Sequence, residues 1–156
     1  MKYLIIGYGG RKNKGCEALL LTTVNQIRKN DKTAIINVAV FDYDYEIKHK
    51  IPGVDKYIRH NHLENLNEDE KILLKEYQNP YNAEKIAELG QKEVLEETCD
   101  YCLSIGGDNY SEGDVPYLRI IDKELKNKNA KIILLGCSLY ENIDSELLIE
   151  DLNRFD

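Results

Sequence analysis

The sequence lacks an excess of basic residues, a long apolar run and a second cysteine pair. Lys and Arg number 21 against 28 for Asp and Glu, which gives the 156 residues a net charge of −7. Nonspecific nucleic-acid binding and anionic-membrane binding both need a basic field, so neither is expected. No apolar run approaches the ~18 residues of a membrane span, and no span is expected. An anionic ligand would therefore have to be bound by a local cluster of donors.

A secretory leader and a cysteine-based centre also lack their signatures. The first apolar stretch ends at Gly7, too short for a signal peptide, which favours a cytoplasmic protein with four reduced cysteines. Cys99 and Cys102 form a CxxC pair, but it precedes a strand instead of opening a helix. Cys16 and Cys137 offer no second CxxC for zinc. We interpret the pair as small buried apolar residues and expect neither a metal nor a cofactor.

Apolar and amphipathic segments alternate along the chain. Apolar runs predict strands at 2–6, 35–41, 54–58, 101–105 and 131–135. Helical periodicity predicts helices from 15, over 67–77, over 83–94, after 114, and from 144 to the chain end, with N-caps at Asn13, Asn67, Asp114 and Asp144. This alternation is typical of βαβ units and predicts an α/β fold, a parallel sheet of about five strands with helices on both faces.

The first candidate site is the glycine-rich loop after the first strand. Gly9, Gly10 and Gly15 would bring backbone N–H groups close to a ligand. The loop contains three basic residues and leads into a helix N-terminus, which favours an anion. The alternative is that its glycines only form the turn.

Two nucleotide motifs fail in this first loop. Cys16 and Glu17 occupy the Lys and Ser/Thr positions of a Walker A pattern. Lys12 stands where a dinucleotide fingerprint needs its third glycine. ATP-dependent and NAD-dependent functions are therefore not favoured.

The second candidate site is the loop after the fourth strand, which is dense in polar groups. Ligands of open α/β sheets bind outside the carboxyl ends of the strands, where this loop is expected. The alternative is an Asx-turn that caps the next helix. The polar and aromatic residues follow two glycines: Gly106, Gly107, Asp108, Asn109, Tyr110 and Ser111.

Three other features are weaker candidates. Tyr8 and Tyr110 lie in the two loops, where they could line a sugar. His60 and His62 are two residues apart and are better interpreted as an exposed polar turn than as metal ligands. Ser138 follows the fifth strand, but the segment lacks the flanking glycine of a nucleophile elbow.

Three segments on these predicted strand ends resemble the amino-terminal motifs of the polysaccharide pyruvyl transferase family. They are Asn13-Lys14-Gly15-Cys16-Glu17-Ala18, then 106–112, then Gly136-Cys137-Ser138. The resemblance runs from Tyr3 to Phe155. The chain departs from the family pattern at Cys137, where a smaller residue is expected, and at Leu139-Tyr140, where glycine and proline tend to follow.

The resemblance implies a transferase that moves pyruvate from phosphoenolpyruvate to a sugar or glycan as a cyclic ketal, in exopolysaccharide or cell-wall synthesis. Such proteins resemble GT-B glycosyltransferases, with two Rossmann-like halves that face each other across a cleft. Residues 1–156 would be the first half. We expect it to pack against a C-terminal domain that the chain does not contain, and to be inactive alone, as a shortened chain or an isolated half.

The resemblance also implies site residues. Asp108 is the best catalytic candidate, as a contact to a sugar hydroxyl or a general base. Two alternatives remain open: the acceptor half of a nucleotide-sugar glycosyltransferase, and a standalone module that binds a phosphorylated metabolite. The expected substrate-binding residues are Gly9, Gly10, Asn13, Gly15, Cys16, Glu17, Gly106, Gly107, Asp108, Asn109, Tyr110, Ser111 and Ser138.

Overall fold

The computed structural model describes residues 1–60, 62–79, 81–110, 115–138 and 146–156. Five strands form one sheet in the order β3-β2-β1-β4-β5, and every neighbouring pair is parallel. This confirms the predicted α/β fold with a Rossmann-like parallel sheet. The strands are β1 (Lys2–Ile6), β2 (Ile35–Val40), β3 (Lys56–Arg59), β4 (Tyr101–Ile105) and β5 (Lys131–Leu135).

Helices connect the strands. A 3-10 turn at His62–Asn65 precedes the third helix. In the described ranges, none of the helices combines the length and the apolar character that crossing a bilayer requires. The helices are α1 (Lys14–Asn30), α2 (Tyr43–Lys48), α3 (Glu68–Tyr77), α4 (Ala83–Gly90), α5 (Lys92–Leu95), α6 (Pro116–Asn127) and α7 (Glu146–Leu152).

Two of the predicted N-caps are confirmed. Asn13 caps α1 through its side chain, and Asn67 forms a full capping box with Glu70 at the start of α3. The predicted caps Asp114 and Asp144 lie outside the described residues. Proline occupies the first position of α6, where a missing N–H costs little.

The structure corrects three element boundaries. The helix predicted over 83–94 is two helices, because the chain leaves helical geometry at Gln91 (φ −99°, ψ 11°). The third strand begins at Lys56, two residues later than predicted. Just before Lys56, the Asp55 carboxylate accepts the Ile36 N–H at 2.7 Å. The last helix ends at Leu152, and Phe155 instead packs edge-on against Tyr110 with ring centroids 5.7 Å apart.

Both faces of the sheet are covered by apolar side chains. On one face, Leu20 and Val24 of α1 pack against Ile5 of β1. On the other face, Leu118 and Ile121 of α6 pack with the neighbouring residues of β1, since side chains alternate along a strand. Each fully buried side chain of this size contributes about 1.5–3 kcal/mol of transfer free energy. Coverage of both faces explains the continuously apolar strands.

The cysteines are free thiols. Cys102 is fully buried in β4, and Cys99 packs against the same core cluster. Burial raises the pKa of the Cys99 thiol to about 11 and raises that of Cys102 well above its usual value. The interpretation of this CxxC pair as buried apolar residues is confirmed for Cys102, whereas Cys99 is only partly buried.

Candidate functional site

The three predicted loops meet at the carboxyl edge of the sheet. The strand order reverses between β1 and β4, so the loops after these two strands lie side by side at the switch point. The Asn109 side-chain amide joins them, because its nitrogen donates to the carbonyl oxygens of Gly7 and Ile105, both at 3.1 Å. The third loop joins them through the Ser138 N–H, which donates to the Gly107 carbonyl at 2.6 Å.

Two glycines make room for the Asn109 amide. Gly7 has a φ of +74° and Gly106 a φ of +146°, conformations that other residues rarely adopt. A Cβ atom would lie 1.9 Å from the amide nitrogen at Gly7 and 2.5 Å from it at Gly106. Asn109, predicted as a substrate contact, therefore uses its amide nitrogen to hold the loops together.

The helix terminus in the first loop is closed by its own cap. The Asn13 side-chain oxygen accepts the N–H groups of Gly15 at 2.9 Å and Cys16 at 3.3 Å. The Glu17 N–H donates to the Asn13 carbonyl at 2.9 Å. These three N–H groups, which were expected to receive an anion, are thus already bound within the chain.

The basic residues of the first loop are paired with carboxylates. Lys12 lies 2.5 Å from Asp42, and Lys14 lies 2.8 Å from Glu17, which also pairs with Arg11. Hydrogen bonds from the lysines lower the pKa of both carboxyl groups. The loop therefore presents much less positive charge than its sequence suggests.

The tyrosines of the two loops lie in the core. Tyr8 is 1% exposed and donates to Glu46 at 3.5 Å, and Glu46 also accepts the Arg11 N–H at 2.7 Å. Tyr110 is fully buried and donates to Asp122 at 2.7 Å. Both rings fix their loops to the core, so they do not form the sugar-lining surface that the sequence left open as a weaker possibility.

The surface that remains at this edge is mostly backbone with one carboxylate. Ser111 lies outside the described residues, and Gly10, Cys16 and Glu17 are half-buried. Asp108 contributes the carboxylate. Apart from the paired charges of the first loop, such a surface offers backbone N–H and carbonyl groups and the Asp108 carboxylate, a set suited to the hydroxyl groups of a sugar. The exposed residues of the predicted site are Gly9, Asn13, Gly15, Gly107, Asp108 and Ser138.

Sequence reasoning missed a cavity at the same edge, beside the ends of β2 and β3. It has a volume of about 320 Å³ and is lined mainly by apolar and aromatic residues of α4 and α6, with Phe41 from the end of β2. Tyr117 of α6 also lines it, and the pKa of Tyr117 is raised by burial and by the Asp108 charge. The cavity therefore adjoins the second loop.

His60 lies behind this cavity and is fully buried, which corrects the expected exposed turn. Its ring stacks on Phe41, with centroids 4.2 Å apart, and meets Tyr117 edge-on at 5.0 Å. His60 is buried because it continues the pairing of β2 with β3: its backbone N–H donates to the Val40 carbonyl at 2.8 Å. The sequence did contain a signal for this aromatic contact, because Phe41 and His60 each come directly after a strand, and the ends of neighbouring parallel strands lie side by side.

A scan against protein-family models gives no matching family, and searches of the curated proteins and of the solved structures give no match either. The resemblance to pyruvyl transferases therefore stays a prediction. In the described part of the chain, no three His, Cys, Asp or Glu side chains lie close enough to hold a metal ion.

Proposed function

We propose that this chain is the amino-terminal half of a transferase resembling polysaccharide pyruvyl transferases, and that it contributes the acceptor-sugar side of the cleft. One observation carries the proposal. The three segments that resemble the family are far apart in sequence, yet their loops converge at the switch point, through Asn109 and the Ser138 N–H. Open α/β sheets bind ligands at this position.

The charges of the first loop support the acceptor side over the donor side. Phosphoenolpyruvate carries a phosphate and a carboxylate, which need unpaired cations or free N–H groups. The basic side chains here are paired with carboxylates, and the helix terminus is capped by Asn13. The donor's anionic groups would therefore be bound by a second domain that packs against this half. The proposal includes a cytoplasmic location, where the free cysteines stay reduced.

The proposed reaction forms a ketal from phosphoenolpyruvate and two sugar hydroxyls, and it releases phosphate. A proton adds to the methylene carbon of phosphoenolpyruvate, and the resulting oxocarbenium-like centre is attacked by one sugar hydroxyl. A second hydroxyl displaces phosphate and closes the cyclic ketal, with the hydroxyl protons released. Asp108, exposed at the edge, would accept a hydrogen bond from the attacking hydroxyl and orient it. Ser138 and the backbone of Gly107 would position the sugar.

The test uses a homologue that carries both halves, given phosphoenolpyruvate labelled with ¹³C at its second carbon and a panel of glycan acceptors. We expect a ketal carbon signal on one acceptor. Replacing the aspartate that matches Asp108 by asparagine should lower kcat at least tenfold, whereas the same change at the residue matching Asp69, exposed on α3, should not. No ketal across the panel would overturn the proposal, and turnover of a nucleotide sugar instead would favour a glycosyltransferase.

A further inference from the structure

The cavity beside β2 and β3 presents aromatic rings to solvent. Phe41 and Tyr81, which line it, are 45% and 76% exposed, and exposed apolar surface of this kind marks binding grooves. The cavity volume of about 320 Å³ lies at the lower end of the range of ligand pockets. None of the described residues that line it carries a charge. The cavity therefore offers aromatic surface to a small uncharged group.

Two of these rings are held in place by their neighbours. The Phe41 ring stacks on the buried His60 imidazole, with an angle of 9° between the two ring planes. Tyr117 stands perpendicular to Phe41, at 89°, with ring centroids 5.9 Å apart. Because His60 covers one face of Phe41, the exposed part of that ring belongs to its edge and its other face. Phe41 and Tyr117 thus form a corner between two flat walls.

This corner adjoins the loop surface that we propose for the acceptor sugar. Pro116 and Tyr117, which line the cavity, begin α6, the helix that follows the second loop. Burial, and then the charge of Asp108, raises the pKa of Tyr117. The Asp108 carboxylate and the Tyr117 ring are therefore neighbours, and the two surfaces form one continuous edge.

A sugar ring has the shape and the chemistry that this corner fits. One face of a pyranose carries C–H groups that pack flat on an aromatic ring, while its hydroxyl groups point outward. The hydroxyl groups of Tyr81 and Tyr117 can each donate and accept a hydrogen bond at the cavity wall. The uncharged lining gives no partner to a phosphate or a carboxylate, so an anionic ligand is not favoured here.

We propose that this cavity is a subsite for the neighbouring sugar of an acceptor glycan whose reacting sugar lies over Asp108. The inference rests on the function proposed above and narrows its substrate class to a neutral glycan of at least two sugar units. The neighbouring sugar packs its C–H face against Phe41, and its hydroxyl groups bind those of Tyr81 and Tyr117. A single sugar occupies the loop surface alone and binds more weakly.

The test titrates lactose, cellobiose and chitobiose into the chain, each beside the methyl glycoside of its non-reducing sugar. We expect at least one disaccharide to bind about fivefold tighter than its methyl glycoside, the ratio of one added aromatic contact. That disaccharide should shift the amides of both regions in ¹H–¹⁵N spectra, whereas its methyl glycoside should shift those of the loops alone. The reporter amides are Gly107, Asp108 and Ser138 in the loops, and Phe41, Ala87 and Tyr117 at the cavity.

The outcomes separate this inference from the proposed function. Disaccharide shifts at the loops alone, or equal affinity for a disaccharide and its methyl glycoside, would overturn the subsite and leave the acceptor surface standing. The exposed rings would then be a surface for a protein partner. If none of the sugars shifted the loops, the proposed function would be contradicted, and the subsite with it.

Three variants locate the contact with the second sugar. Phe41→Leu keeps an apolar side chain without the flat ring and should remove the fivefold ratio, whereas Phe41→Tyr should keep it. Ala87→Leu narrows the cavity and should also remove the ratio, which keeps the test decisive if Phe41→Leu does not fold. Ile35→Ala, 51% exposed at the opposite end of β2, is the matched control and should leave the ratio unchanged. An unchanged ratio in Phe41→Leu and Ala87→Leu would show that the second sugar binds elsewhere.

Discussion

The loops after β1, β4 and β5 lie at the same edge of the sheet as the cavity after β2 and β3. The two regions differ in how far their polar groups are hydrogen-bonded. In the loops, the polar groups bind one another, as the contacts of Asn109, Asn13 and Glu17 illustrate. Behind the cavity, the buried Nε2 acceptor of His60 has no partner in the described structure. The loops are therefore organised before any ligand arrives, and the His60 ring behind the cavity is held by two aromatic contacts and one hydrogen bond to Gln91.

The largest expected effect concerns the organisation of the loops. Gly7→Ala would place a Cβ 1.9 Å from the Asn109 amide and 2.8 Å from the Ile105 carbonyl, at a φ of +74°. We expect it to lower the free energy of unfolding by about 3 kcal/mol or more, measured by urea denaturation. Gly107→Ala, with no atom within 4 Å of the added Cβ, is the control and should stay within about 0.5 kcal/mol. Equal losses in the two variants would show that the loops are not locked by Asn109.

The next prediction concerns the pH dependence of stability that follows from the neutral, buried ring of His60. Its folded pKa of about 4 lies below the unfolded value of 6.5, so the unfolded chain takes up the proton first. Stability is therefore lost as the pH falls from about 6.5 to about 4, by roughly 3 kcal/mol in all. Denaturation of the parent and of His60→Phe at several pH values isolates this loss from that of the carboxylates. A parent and a variant with parallel pH profiles would contradict the buried neutral ring.

A smaller effect concerns Asp122, which anchors the second loop through Tyr110. Burial, and then the charge of Asp151, raises the Asp122 pKa to about 8, above its usual 3.8. The folded state therefore holds a proton that the unfolded state releases, and stability falls as the pH rises from about 4 to about 8. Asp122→Asn should stabilise the chain by about 1–2 kcal/mol at pH 8.5 relative to its effect at pH 7, measured by denaturation.

The control for this variant is Asp69→Asn, at an exposed residue of α3. Its effect on the free energy of unfolding should be the same at both pH values. If Asp122→Asn showed no more pH dependence than this control, the carboxyl group would be ionised throughout.

The smallest effect concerns the charges of the first loop. Lys12 and Asp42 pair at the surface, where solvent screens the pair. Lys12→Ala should leave the free energy of unfolding unchanged within error, and a double-mutant cycle with Asp42→Ala should show no coupling. A clear coupling would mean that the paired charges, and not Asn13 and Asn109, organise the loop.

The sequence allowed the fold and the meeting of the loops to be predicted, for a physical reason. Apolar runs and caps are local signals, and all strand ends of a parallel sheet point to one edge. The contacts of Asn109 were not predictable in this way, because its partner Gly7 is 102 residues away. The burial of His60 likewise depends on Phe41 and Tyr117, which the fold brings from two other segments.

The net charge of the first loop could not be predicted from its own sequence either. Its basic residues predict a positive surface, but Asp42, just before α2, pairs with Lys12, and Glu17 pairs with both Arg11 and Lys14. A count of charges near the loop could include Glu17, whereas the position of Asp42 follows from the tertiary structure. A local excess of lysine and arginine is therefore weak evidence for an anion site.

The most direct test of the central claim is a binding map on this chain. Backbone amide shifts are recorded with increasing amounts of a neutral disaccharide, and separately with phosphoenolpyruvate. We predict that the sugar shifts Gly9, Gly107, Asp108 and Ser138, and that phosphoenolpyruvate shifts these amides much less. Micromolar binding of phosphoenolpyruvate at the first loop, or sugar-induced shifts confined to other parts of the chain, would contradict the account.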